Sequence, residues 1–150
     1  MEKLELKHLA PYLPYGLKIK TSNNQGNVIR QIHGIDISEE FVLACGYINY
    51  IESDNYYPYT LKSCKPILRP LSDLKNKDLD LWIEFSEKID EISVDYLIDS
   101  LVNKSFYSKD IHLAFKIYEV LFEMHFDVFG LINKGLAISY SDVQSTSNEG

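Results

Sequence analysis

The stretch Ser108-Lys109-Asp110-Ile111-His112-Leu113-Ala114-Phe115-Lys116-Ile117-Tyr118-Glu119-Val120-Leu121-Phe122-Glu123-Met124-His125-Phe126 decides the fold class. Ile111, Ala114, Phe115, Tyr118, Leu121, Phe122, His125 and Phe126 recur at helical spacing, and Leu113, Ile117, Val120 and Met124 widen the stripe. From Ile111 onward the positions off this stripe that stay polar are His112, Lys116, Glu119 and Glu123. So apolar a pattern predicts a central helix over 108–126, covered on most of its sides.

Upstream the period shortens to two. Gly16-Leu17-Lys18-Ile19-Lys20-Thr21 alternates as an amphipathic strand, Ser22 to Asn27 carries turn residues, and Val28 to Ile35 reads as the returning strand of a hairpin. Phe41 to Ile51 is rich in β-branched and aromatic residues, with Gly46 marking a bulge. Before these strands, a short helix around Leu4 to Leu9 is expected to end at Pro11 and Pro14. After them, Pro66 and Pro70 predict an extended edge or loop, since proline fits neither a helix interior nor a central strand.

From Leu71 helical spacing returns, over Asp78 to Ile89 and over Ser93 to Val102 with Ser93 as N-cap. Beyond the central helix, Asp127 is placed to cap a short turn ended by Asn133-Lys134-Gly135, and Leu136 to Ser139 reads as a strand. The expected architecture is a single α+β domain over 1–140, a small antiparallel sheet from about 16–70 packed against helices, with a flexible tail at 141–150.

At 150 residues one core suffices for folding without disulfides or a metal. The longest apolar run, Phe41 to Ile48, falls far short of the roughly 20 residues of a membrane span. Met1 to Lys7 alternates charge with leucine and has no apolar signal, so the cytoplasm is the expected compartment. Cys45 and Cys64 form no CxxC pair and read as reduced core thiols.

Acids outnumber bases 22 to 15, and the imbalance is local. Residues 71–103 hold nine acids against three bases, whereas residues 1–34 hold two against five. The acidic face, with Asp80, Glu84, Glu87 and Glu91, would repel a phosphate backbone and attract a basic protein, or serve only as a solvated surface. Asp54, Tyr56, Tyr57 and Tyr59 read as a tyrosine-rich loop suited to protein contact, unless its rings fold back on the sheet.

Catalytic chemistry finds no footing. His8, His33, His112 and His125 lack a His or Cys partner at i+3 or i+4, so no metal is expected. No nucleophile elbow, phosphate-cradling glycine loop or cofactor motif occurs, and acids on a solvated helix face provide no cleft for acid-base work. The expectation is a protein without enzymatic activity and without cofactors.

Three segments together carry a resemblance: His8-Leu9-Ala10-Pro11-Tyr12-Leu13-Pro14-Tyr15-Gly16-Leu17, then Lys65-Pro66-Ile67-Leu68-Arg69-Pro70-Leu71-Ser72-Asp73-Leu74, then His125-Phe126-Asp127-Val128-Phe129-Gly130-Leu131-Ile132 through Gly135-Leu136-Ala137-Ile138. They resemble a family of small proteins encoded in bacterial prophages and mobile elements, from which the acidic segment Lys75 to Lys109 departs. The resemblance implies a mobile-element setting and no known activity, cofactor or catalytic residue. Arg69, Asp73 and Asp127, the charged residues inside these segments, read as a structural ion pair or as a site, and His125 as a satisfied core histidine.

The combined expectation is a phage or mobile-element protein that binds a basic host protein. In concrete form it would block the nucleic-acid groove of a defence nuclease or its RNA-guided complex, in the manner of anti-CRISPR inhibitors. The alternatives are a nucleic-acid-binding regulator using Lys7, Lys18, Lys20 and Arg30, and a structural or assembly component.

Overall fold

Leu17, Ile19 and Thr21 are fully buried while Lys18 and Ser22 are exposed, so β1 (Lys18–Asn23) lies between a core and solvent as period-two alternation requires. It pairs antiparallel with β2 (Gly26–Asp36), from Lys18 opposite Gln31 to Asn23 opposite Gly26. β3 (Phe41–Ile48) follows on β2 and β4 (Ile51–Thr60) on β3, while β5 (Cys64–Leu68) returns to the other side of β1. A two-residue β6 (Ile138–Ser139) joins β5 in parallel, giving the order β4-β3-β2-β1-β5-β6. The computed structural model describes residues 2–23, 26–48, 51–75, 80–89, 94–103 and 111–147. It is an α+β protein with a mostly antiparallel sheet, as the sequence predicts.

The sheet cannot be flat. A single 3₁₀ turn, Leu61–Ser63, joins β4 to β5, although three strands lie between them. The four chain steps from Thr60 to Cys64 reach about 14 Å, whereas four strand spacings in a flat sheet need about 19 Å. The sheet therefore curls until its edges approach, and the pairing of β3 with β4 slips at Gly46, where a bulge was expected. Leu17, Ile19, Ile32, Val42, Ala44 and Leu68 fill the inside, closed by Leu4, Leu9 and Tyr12 from the N-terminal segment and by Leu131 and Ala137.

Proline places one agreement with the sequence reading and one difference. α1 (Leu6–Leu9) ends just before Pro11, as expected, and passes into a 3₁₀ turn at Ala10–Tyr15 that contains Pro11 and Pro14. That turn ends at Gly16, whose φ of +67° suits a residue without Cβ. Pro66 sits inside the sheet rather than at an edge, opposite Ile19. It is tolerated because β6 reaches only Ile67 and Leu68 and never asks Pro66 for an amide.

A second core lies among helices: Phe85 and Ile89 of α2 (Asp80–Ile89), Leu97, Ile98 and Leu101 of α3 (Val94–Val102), and Ile117, Val120 and Leu121 of α4 (Ile111–Glu123). Ser93 and residues 108–110 lie outside the described residues. α4 ends before the predicted Phe126, because His125 takes a left-handed φ of +60° that turns the chain out of the helix. The expected tail also departs: Tyr140–Ser147 form α5.

Tyr12 ties the two cores together. Its ring is fully buried and packs edge-on against Phe122 of α4 at 4.9 Å. Its hydroxyl donates to the Phe126 carbonyl at 2.6 Å, and burial holds the phenol protonated well above the usual range. Tyr12→Phe keeps the packing and leaves that carbonyl without its phenol donor, so it should cost about 1–3 kcal/mol, read as a lowered urea midpoint with unchanged slope.

Candidate protein-binding surface

At 100° per residue α4 carries two apolar stripes rather than one broad one. Leu113, Ile117, Val120, Leu121 and Met124 face the helical core. Ile111, Phe115, Tyr118 and Phe122 lie on another side, at i, i+4, i+7 and i+11. Only the C-terminal end of this second stripe is packed against the sheet core, where Phe122 meets Tyr12 and Phe129. Ile111 is 67% exposed and Phe115 74%, so the expectation of a helix covered on most sides does not hold.

Tyr118 belongs to two surfaces at once. It continues the exposed stripe, and it lines a cleft of about 650 Å³ bounded by Pro70, Leu71, Val102, Val128 and Phe129. The lining is mixed, with polar atoms from Ser72, Asp127 and Asn133 among the apolar side chains. The result is an apolar track about two helical turns long that opens into a cleft, the form in which a partner's apolar side chains are received.

The acids of α2 form an exposed face of their own. On α2, Asp80, Ile83, Glu84 and Glu87 share one exposed face, opposite the buried Phe85 and Ile89. Lys88 reaches from α2 to Glu123 of α4 at 2.7 Å. Trp82 is partly buried against the helical core. Glu91 lies outside the described residues.

The tyrosine segment is not a loop. Asp54, Tyr56, Tyr57 and Tyr59 all lie in β4, whose register runs from Phe41 opposite Thr60 to Ile48 opposite Ile51. Tyr59 points into the sheet core and receives the Arg30 guanidinium at 5.2 Å from its ring centre. Side chains at 51–57 lie outside the described set. Arg30 is itself buried, with Nε donating to the Thr21 hydroxyl at 3.3 Å, and Lys7 pairs with Glu5 at 3.0 Å. Of the four bases proposed to hold phosphates, only Lys18 and Lys20 share the outer sheet face.

Arg69, Asp73, His125 and Asp127 meet where β5 leaves the sheet, but no ion pair joins them among the described residues. The link is made by backbone instead. The Arg69 amide donates to the His125 carbonyl at 2.9 Å, and the Asp127 amide donates to the Arg69 carbonyl at 2.8 Å. The Asp127 carboxylate accepts from the amides of Leu131 and Ile132 at 2.8 and 2.9 Å, fixing the turn that follows. The Arg69 guanidinium lies 4.4 Å from the Tyr140 ring centre, over α5.

Among the described residues no group of three His, Cys, Asp or Glu is placed to hold a metal ion. Cys64 is a free buried thiol whose pKa burial pushes up, the opposite of an activated nucleophile. No described helix is long and apolar enough to cross a membrane. Comparison with family models, with curated proteins and with solved structures finds no match for the chain.

The residues that sequence reasoning missed are Ile111 and Phe115, taken for core, and the cleft around Val102 and Val128. A signal was present: the apolar positions of α4 occupy two separated arcs, and one neighbouring layer can bury only one of them.

His125 supplies a pH-dependent test. Its Nε2 lies 2.8 Å from the Tyr15 carbonyl, and burial, helped by the nearby Arg69 and Lys18, lowers its pKa below the usual value of about 6.5. The unfolded chain thus takes up the proton first. Stability is full above about pH 6.5 and falls as pH drops toward the lower native value. Asp73, raised by burial, acts in the opposite sense at the lower end of the range. His125→Asn keeps the left-handed backbone accessible and should flatten the decline between about pH 6.5 and 5, measured by urea titration.

Proposed function

We propose that this protein acts by binding another protein, through the exposed α4 stripe and the cleft it enters, with the acidic face of α2 steering a basic partner. The observation that carries this reading is the outward exposure of Ile111, Phe115 and Tyr118 on one line leading into a cleft of mixed polar and apolar lining. Contiguous exposed apolar surface rimmed by charge is a mark of protein interfaces. Asp80, Glu84 and Glu87 make the partner's complementary chemistry basic.

The resemblance of three segments to prophage-encoded proteins supports a mobile-element setting. There the basic partner with most to gain from being blocked is a host nuclease or its RNA-guided complex, whose own ligand is a polyanion. Binding of an acidic protein over such a groove would exclude the nucleic acid by occupancy alone, with no reaction required.

The test begins with affinity capture from bacterial lysate after nucleic acids are digested, then titration of the purified captured protein. Phe115→Gln should alter stability by no more than about 0.5 kcal/mol, yet weaken binding at least about tenfold. Joint Asp80→Lys, Glu84→Lys and Glu87→Lys should slow association and reverse its salt dependence. A basic nuclease partner should lose cleavage activity as the protein is added. Unchanged affinity in both variants overturns the assignment of this surface.

A further inference from the structure

The outer face of the sheet bears a charge pattern that protein binding at α4 does not use. The alternation that buries Leu17, Ile19 and Thr21 turns Lys18 and Lys20 outward on β1, and the register of β5 sets Lys65 directly opposite Lys20. Like charges directly opposite across two strands destabilise a sheet. Nothing in the composition forces this arrangement, since acids outnumber bases by seven. Four other lysines hold acids: Lys7 with Glu5 at 3.0 Å, Lys75 with Asp99 at 3.2 Å, Lys88 with Glu123 at 2.7 Å and Lys134 with Glu2 at 2.8 Å, whereas Lys3, Lys62 and Lys116 stand singly on the surface without a second lysine in register. Among the described residues no acid lies within ion-pair distance of Lys18, Lys20 or Lys65.

The neighbours on this face fit the same chemistry. Gln31 stands in register opposite Lys18 and Ile29 opposite Lys20, both exposed on β2, so amide donors and a small apolar surface accompany the charges. The three lysines span about 7 Å along the strand and 5 Å across it. That patch matches consecutive phosphates of one backbone, whereas the two backbones flanking a duplex major groove stand about 12 Å apart. Lysines act on phosphates as point charges, and this part of the face, Lys18, Lys20, Ile29, Gln31 and Lys65, has no aromatic ring on which bases could stack.

We propose that the outer face of β1 and β5 binds the phosphodiester backbone of single-stranded nucleic acid, without regard to sequence, through Lys18, Lys20 and Lys65. This site is separate from the α4 surface, so the failure of either reading leaves the other standing. The acids of α2 remain a different face, and charges beyond a Debye length of about 8 Å are largely screened at physiological salt.

The probe is fluorescein-labelled oligo(dT), followed by anisotropy from low to physiological salt, with oligo(U) and a duplex of mixed sequence alongside. Wild type should bind both single strands at low salt, the duplex more weakly, with log affinity falling against log salt at a slope of about −2 for three phosphates. Joint Lys18→Gln, Lys20→Gln and Lys65→Gln should abolish binding. Relief of the Lys20 and Lys65 repulsion lets that variant fold at least as well, which circular dichroism and its melting temperature will show. No binding by wild type at low salt overturns the proposal, as does equal binding by the variant or a preference for duplex. Salt-sensitive self-association, lost in the same variant and unaccompanied by oligonucleotide binding, also overturns it, in favour of contact with the acidic helix of a second copy.

Discussion

The two oxygens of the Asp127 carboxylate hold the turn on which the junction of sheet and helices depends. This side chain is 6% exposed, and a carboxylate so placed must have its lost hydration replaced. The amides of Leu131 and Ile132 do so, which fixes the turn that carries Phe129 against Phe122 and Leu131 into the sheet core. Through its own amide the same residue grips the Arg69 carbonyl, so the exit of β5 and the end of α4 are bound to one short segment. Remove that anchorage and the cleft loses a wall, since Asp127, Val128 and Phe129 line it.

That constraint explains why the helical surface is shaped as it is. The turn delivers Phe129 to one end of the second α4 stripe and covers Phe122 there, but it does not extend toward the helix N-terminus. Tyr118 is left half-covered and Phe115 and Ile111 open, so the apolar track begins where the internal packing stops. Burying an exposed aromatic such as Phe115 in an interface is worth a sizeable part of a binding free energy, which makes its exposure expensive to keep without a use.

Much of the fold was legible because local pattern and tertiary role agreed. The alternation of Leu17, Lys18, Ile19, Lys20 and Thr21 is the inside and outside of β1, and Gly46 does mark a slip in pairing. Where the reading failed, a distant partner decided. Asp54, Asn55 and Pro58 have the composition of a loop, yet pairing with β3 draws them into a strand. Pro66 is admitted to the sheet by a β6 that is only two residues long and comes from the other end of the chain. The α4 helix was plain, but which of its stripes would be covered depended on Tyr12, 110 residues before Phe122 in sequence, and on Phe129. The acidic residues of α2 and the bases Lys18 and Lys20 were found by counting charge; that Lys65 joins those two required the register of β5.

The curled sheet is nearly complete in the first 68 residues, but its core is not. Leu131 and Ala137 close it, and β6 is drawn from residues 138 and 139. During synthesis, which proceeds from the N-terminus at roughly 5–20 residues per second, the strands emerge seconds before the segment that seals them. For that interval Leu17, Ile32 and Val42 have only a part-built interior to enter. The sheet core of this protein can therefore be sealed only once its last third has been made.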